Sequence, residues 1–210
     1  TQGTHYYYCT VTSDLNGSKA TSDVFTVTVK FCGTDGIPES FTATSGNTYL
    51  THQYPTGTGG AMQCWMVSNS KEGSPQAYCY NNDCGTYPSI GYYYNRAQGH
   101  SNASCPSGWH IPADSEARAL IPFLKTSDAI LPYDLRKWWY GPTASVANGA
   151  LGGIRGCGGG YGGIGEMAYY YYGASGSKTY FIASSSDIYE NFDGCSSSTD
   201  ELNIVRCVKN

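Results

Sequence analysis

Nine cysteines are spread from Cys9 to Cys207 along 210 residues, and none of them forms the Cys-x-x-Cys pair that a structural zinc site favours. The histidines, His5, His52, His100 and His110, are just as dispersed. Cysteines in this pattern read as disulfides, the cross-links of a chain that matures in an oxidising compartment. The composition agrees, since 13% charged residues, 27 glycines and 20 tyrosines are far from a cytosolic average. A net charge of −4 argues against a nucleic-acid partner, which needs a concentrated cationic face. No apolar run of about 18 residues occurs, so no membrane span is expected. The sequence opens on Thr1 with neither an initiator methionine nor a signal peptide. The expectation is that a leader or upstream segment has been removed or lies outside this sequence.

Two parts are expected. Residues 1–32 read as a β-hairpin: His5 to Thr12 is rich in Tyr, Thr and Val, and Asp14-Leu15-Asn16-Gly17-Ser18 supplies turn chemistry. From Val24 to Phe31 the chain alternates, with Phe25, Val27, Val29 and Phe31 on one face. Residues 33–45 read as a linker, and residues 46–210 as a second domain. In that domain the best helix signal is Pro112 to Lys125, with Asp114 or Ser115 as cap and Leu120, Ile121 and Leu124 as an apolar stripe. Pro122 would end or kink it. A second short helix is expected from Leu131 to Trp139. Gly152 to Gly165 holds nine glycines and reads as loop. Few helices among many short strands give an α+β fold rich in loops.

The run Cys105-Pro106-Ser107-Gly108-Trp109-His110-Ile111-Pro112, closed near the end of the chain by Val205-Arg206-Cys207-Val208, resembles the signature of the Fibrobacter succinogenes major paralogous domain. Further blocks resemble that domain in the same order. They are Cys64-Trp65-Met66-Val67-Ser68-Asn69, Tyr78-Cys79-Tyr80-Asn81-Asn82 with Cys84, Gly91-Tyr92-Tyr93-Tyr94-Asn95, and Leu151-Gly152-Gly153-Ile154-Arg155. Two blocks depart from the family pattern. Glu116-Ala117 stands where Glu-Trp is usual, and Tyr169-Tyr170-Tyr171-Tyr172 replaces a Trp-Trp-Ser segment. The resemblance implies a secreted or cell-surface bacterial module. The central motif and the terminal Arg-Cys-Val are also similar to C-type-lectin-like and sulfatase-modifying-factor-like domains, which implies that fold class by analogy. Separately, Tyr7-Tyr8-Cys9 before Thr-Val-Thr resembles the Tyr-x-Cys of an immunoglobulin-like domain, with residues 1–32 standing for its last two strands.

Disulfide pairing does not follow from cysteine order. The pairs favoured here are Cys79–Cys84, Cys9–Cys32, Cys157–Cys195 and Cys105–Cys207. Cys64 is left over and is expected to be a small buried apolar residue beside Trp65.

No catalytic residue, metal site or cofactor is assigned. His110 beside Trp109 has the chemistry of a general base, but such a histidine more often packs on the aromatic ring and bonds a carbonyl. No Gly-x-Ser-x-Gly elbow occurs. The Glu-Pro-Asn, Gln-Pro-Asp and Trp-Asn-Asp triplets of calcium lectins are absent. The loop Gly156 to Gly165 lacks the lysine of a phosphate cradle.

Three tyrosine clusters remain: Tyr6-Tyr7-Tyr8, Tyr92-Tyr93-Tyr94 and Tyr169-Tyr170-Tyr171-Tyr172. In strands, neighbouring residues face opposite sides, so each cluster is expected to offer tyrosine to a surface as well as to the core. The expected function is a non-enzymatic extracellular structural protein whose partner is itself. It would assemble into fibres by strand complementation through Tyr6, Tyr7, Tyr8, Phe25, Val27, Val29 and Phe31. The alternative is a monomeric adhesion module that binds glycans on Tyr92–Tyr94 and Tyr169–Tyr172.

Overall fold

The computed structural model describes residues 3–7, 10–12, 17–29, 32–33, 38–73, 78–124, 151–156, 158–173, 180–184, 188–191 and 202–210. The chain divides into two compact units, Thr1–Phe31 and Cys32–Asn210.

The first unit is a long interrupted hairpin. Strands β1 (Gly3–Tyr7), β2 (Thr10–Thr12), β3 (Lys19–Thr21) and β4 (Phe25–Val29) pair antiparallel, β1 with β4 and β2 with β3. The register runs from Gly3↔Val29 to Tyr7↔Phe25 and resumes at Thr10↔Thr21, one residue out of step, the offset that a β-bulge introduces. Among the described residues neither pair gains a third strand.

The second unit contains β5 (Glu39–Thr42), β6 (Thr48–Tyr54), β7 (Gln63–Met66), β8 (Trp109–His110), β9 (Ile154–Arg155), β10 (Tyr161–Gly162), β11 (Met167–Tyr171), β12 (Tyr180–Ser184), β13 (Ile188–Asn191) and β14 (Val208–Lys209). Its α-helices are α1 (Arg96–Gly99) and α2 (Asp114–Leu124). The main sheet is antiparallel, in the order β5-β6-β7-β14-β8. Its last pairing brings the end of the chain between β7 and the central motif, with Val208 opposite both Trp65 and His110. A second sheet has the order β11-β12-β13, and β9 pairs with β10. The fold is therefore mixed, with an antiparallel sheet and few short helices.

Two hydrophobic clusters fill this unit, and consecutive residues are dealt alternately between them. Trp65, Tyr93, Tyr170 and Ile204 belong to one cluster, and their successors Met66, Tyr94, Tyr171 and Val205 to the other. Strand-like segments turn successive side chains to opposite faces, and here both faces are covered. Each large side chain so buried contributes about 1.5–3 kcal/mol. Tyrosine suits this arrangement because its hydroxyl can find a partner beyond the apolar layer. Tyr94 donates to the Glu72 carbonyl at 2.6 Å, and Tyr49 to the Glu72 carboxylate at 2.6 Å.

Several expectations are corrected. Within the stretch expected as a linker, Glu39–Thr42 is an edge strand of the main sheet, and Phe41 stacks on Trp109 with ring centroids 4.8 Å apart. Cys32 pairs with Cys64 rather than Cys9, at a Cα–Cα distance of 5.8 Å. Gly33 bridges to His52 while Gln53 lies opposite Cys64, so the sheet itself brings the two cysteines together. Cys64 is thus a bridged residue and not a free apolar one.

The glycine-rich stretch contains the paired strands β9 and β10, which turn back where Gly156 donates to the Gly160 carbonyl at 2.9 Å. Gly153, at φ +77°, takes a left-handed backbone there that favours glycine. Helix α2 begins at Asp114, and Ala113 precedes it as cap: its carbonyl accepts from Ala117 at 3.0 Å. Neither Asp114 nor Ser115 is the cap. The Glu116 carboxylate accepts the Ala113 N–H at 2.7 Å, half of a capping box. Pro122 lies inside the helix, which continues to Leu124. Tyr8, Cys9, Phe31, Cys157, Cys195 and the helix expected over residues 131–139 lie outside the described residues.

Candidate functional site

The central motif is held at every turn by the rest of the unit. Cys105 is bridged to Cys207, and Cys79 to Cys84. Trp109 stacks on Phe41, and the Lys209 ammonium lies 5.2 Å from its ring. The Ile111 N–H donates to Asn102 Oδ1 at 3.0 Å, and the Asn210 N–H to the Gly108 carbonyl at 3.2 Å.

His110 projects from β8 beside an open cleft of about 370 Å³ lined also by Thr56, Thr58, Gln63, Ser115 and Glu116. Its Nε2 lies 3.0 Å from Glu116 Oε2, and its Nδ1 lies 2.6 Å from Asn210 Oδ1. The chain of contacts runs on from Glu116 to Gln63 Nε2 at 2.6 Å, from Gln63 Oε1 to the Thr56 hydroxyl at 2.7 Å, and from Thr56 to the Trp65 indole N–H at 2.7 Å. The hydrogen bond to Glu116 raises the His110 pKa against the opposing effect of burial. Burial alone would raise Glu116, but hydrogen bonds from His110, Ala113 and Gln63 outweigh it and hold the carboxyl below its ordinary value.

A general base needs a neutral nitrogen aimed at a substrate proton. His110 has both ring nitrogens engaged, one by Glu116 and one by Asn210. The pair works as a stitch that joins β8, α2, β7 and the chain end.

The stitch has a pH signature. His110 is raised above its ordinary 6.5, so its contribution is complete below that value and is lost as pH rises through the folded pKa. Glu116 is lowered from 4.5, so its contribution is complete above that value and is lost as pH falls through the folded pKa. Thermal stability should therefore gain most from this pair between pH 4.5 and 6.5. The Glu116→Gln variant should lose that gain, and melting curves across pH that superimpose for the two proteins would rule it out.

The runs Tyr92–Tyr94 and Tyr169–Tyr172 do not form the expected surface. Tyr93, Tyr94, Tyr170, Tyr171 and Tyr172 are buried, while Tyr92 and Tyr169 are half-buried. Covering both faces of these segments removes the outward-facing half of each cluster. Tyr6, Tyr7, Phe25, Val27 and Val29 lie on the paired strands β1 and β4. The exposed aromatic area is elsewhere. Tyr78 is 39% exposed, and the Arg155 guanidinium lies 5.8 Å from its ring and 5.9 Å from that of Tyr161. A Tyr-Arg-Tyr group of this kind can stack on planar or sugar-ring surfaces. The cysteine-closed turn next to Tyr78 was legible in the sequence, but the approach of Arg155 from about 77 residues away left no local signal.

Among the described residues, no further strand pairs with the outer edge of β5. The Ala43 N–H donates to the Asn47 carbonyl at 2.8 Å, and stepping back along the register makes Phe41↔Tyr49 and Glu39↔Thr51 the hydrogen-bonded pairs. Leu50 fits this phase, because its N–H reaches Ser68 Oγ at 3.0 Å and its carbonyl accepts from Val67 at 2.9 Å, both on the β7 side. Ser40 and Thr42 therefore turn their N–H and C=O groups outward, and both residues are exposed.

Among the described residues no group of three or more His, Cys, Asp or Glu side chains is placed to hold a metal ion, and no helix is long and apolar enough to cross a membrane. No family model, curated protein or solved structure matches this chain.

Proposed function

We propose that this is a non-enzymatic structural protein of the bacterial cell surface or exterior, a module of the Fibrobacter succinogenes major paralogous type. It assembles into fibres by strand addition through its N-terminal hairpin. The observation that carries the proposal is the first unit itself, two short antiparallel ladders with no third strand among the described residues. An isolated two-stranded hairpin is marginal in water, and its open edges are templates for pairing with another chain. The disulfides Cys32–Cys64, Cys79–Cys84 and Cys105–Cys207 suit an oxidising exterior. The engagement of His110 and Glu116 with each other and their neighbours is what a structural role requires.

Negative-stain electron microscopy of the native, unreduced protein should show regular filaments, and deletion of residues 1–31 should abolish them while the melting transition of the second unit persists. Dispersed particles from the intact protein would overturn the proposal. Glycan binding is then the reading to take up, now centred on Tyr78, Arg155 and Tyr161, the aromatic group that keeps exposed area.

A further inference from the structure

We infer that the open cleft beside His110 is a binding site for an uncharged sugar residue, a role that goes beyond assembly and lies wholly within the second unit. Its walls come from two elements. On one side the loop at residues 56–61 closes on itself, with the Gly57 N–H donating to the Ala61 carbonyl at 2.8 Å and the Gly60 N–H to the Gly57 carbonyl at 2.9 Å. A Cβ at Gly57 would come within 2.9 Å of that Ala61 oxygen, so glycine is what lets the loop close. On the other side stands the start of α2, where Ser115 and Ala119 lie one above the other on the same helix face. Gly57, Ala113 and Ala119 are small and leave about 370 Å³ open, near the lower end of the range for small-molecule sites.

The chemistry of the lining selects the ligand. Thr58 and Ser115 line the cleft from opposite walls, both are exposed, and neither hydroxyl has a hydrogen-bond partner among the described residues. Gln63 Nε2 gives one N–H to Glu116 and keeps a second. A hydroxyl both donates and accepts, so these groups match the neighbouring hydroxyls of a sugar ring, which do the same. The ionisable side chains of the lining are His110 and Glu116, and they are paired at 3.0 Å. Glu116 already accepts from His110, Gln63 and Ala113. A cation would have to displace one of these donors, and an anion would face the carboxylate, so an uncharged ligand is favoured. The hydrogen-bonded chain from Glu116 through Gln63 and Thr56 ends on the fully buried Trp65 indole, and it holds the lining in place before a ligand arrives.

The test is titration calorimetry of the full chain with glucose, galactose, mannose and cellobiose, alongside the charged analogues glucuronate and glucosamine. At least one neutral probe should bind, and the charged analogues should bind about tenfold more weakly or worse. Binding of a free hexose identifies a soluble sugar as the ligand, whereas binding of cellobiose alone identifies a residue within a glycan chain. Hydrogen exchange in the presence of the bound probe should slow at residues 56–63 and 113–119. The variant Thr58→Val/Ser115→Ala removes the two unpartnered hydroxyls and should weaken binding by about tenfold or more. Its melting temperature should be unchanged, because neither hydroxyl bonds to the fold. Ala119→Leu fills the cleft with a good helix former and should abolish binding. The inference is overturned if no neutral probe binds, if the charged analogues bind equally well, if the double variant binds like the wild type, or if protection appears at Tyr78 and Arg155 instead. None of these outcomes depends on filament formation, so this inference and the assembly proposal fail separately.

Discussion

Replacing Cys105 and Cys207 together by alanine is expected to cost about 4.7 kcal/mol, the largest loss of any single cross-link described here. The bridge closes a loop of 102 residues. Its main effect is to deny the unfolded chain the conformations that a loop of this length would otherwise sample. The same relation gives about 3.7 kcal/mol for Cys32–Cys64 and about 2 kcal/mol for Cys79–Cys84, whose separations are 32 and 5 residues. Burial adds to the ranking, because Cys207 is fully buried and Cys105 nearly so, while Cys84 is exposed. A domain with a net stability of about 5–15 kcal/mol has little room for the first loss.

Urea denaturation of the three paired-alanine variants should order their midpoints as Cys105/Cys207 lowest, then Cys32/Cys64, then Cys79/Cys84. Equal midpoints would mean that strain or residual unfolded structure, not loop length, sets the contribution of these bridges. Substitution is preferable to reduction because a thiol reagent would open all the bridges at once and leave the order unread.

What could be read from the sequence was whatever local spacing fixes. The Thr-Val alternation around Val27 placed a strand, and Leu120, Ile121 and Leu124 placed the buried stripe of α2. What failed depended on the neighbours. A run such as Tyr169 to Tyr172 has the same period of two whether one face is wet or both are dry. The period alone reads as half-exposed, yet Tyr170 and Tyr172 enter one core cluster and Tyr171 the other. The partner of Cys32 was missed because it depends on the register of β6 against β7, which no local pattern reveals. At the cleft, His110 and Glu116 stood out by residue type. Thr56, Gln63 and Asn210 did not, since their roles come from contacts across the fold. The two most widely separated motifs, at Cys64 and at Val205, proved to be neighbours: the Met66 N–H donates to the Cys207 carbonyl at 2.9 Å, and the Ser70 N–H to that of Val205 at 2.8 Å.

That neighbourhood contains the second large effect. Arg206 is 1% exposed and lies between the two motifs, with its Nε donating to Asn69 Oδ1 at 2.8 Å and its guanidinium 5.0 Å from the Tyr170 ring. Asn69 is itself 1% exposed and is held in place by donating from Nδ2 to the Ile90 carbonyl at 2.8 Å. The next residue, Gly91, has φ +83°, and a Cβ there would come within 2.9 Å of the Asn69 Cβ, so the backbone is shaped to admit this amide. A buried guanidinium depends on each acceptor and each aromatic face it has, because its charge has lost its water.

Removing the acceptor should therefore cost more than removing the charge. Asn69→Ala is expected to destabilise the unit by about 3 kcal/mol, since it withdraws a hydrogen bond from a buried cation. Arg206→Met keeps most of the apolar stem and leaves nothing charged behind, and should cost about 1–2 kcal/mol. Once Arg206 is methionine, Asn69→Ala has much less to disturb, so the double variant should fall short of the sum of the single effects by about 1–3 kcal/mol. A double-mutant cycle by urea denaturation measures that shortfall directly. Strictly additive effects would mean that Asn69 serves only Ile90 and that Arg206 is held by its other contacts. A clear shortfall would establish that Asn69 and Arg206, about 137 residues apart, act as one buried unit joining the two motifs.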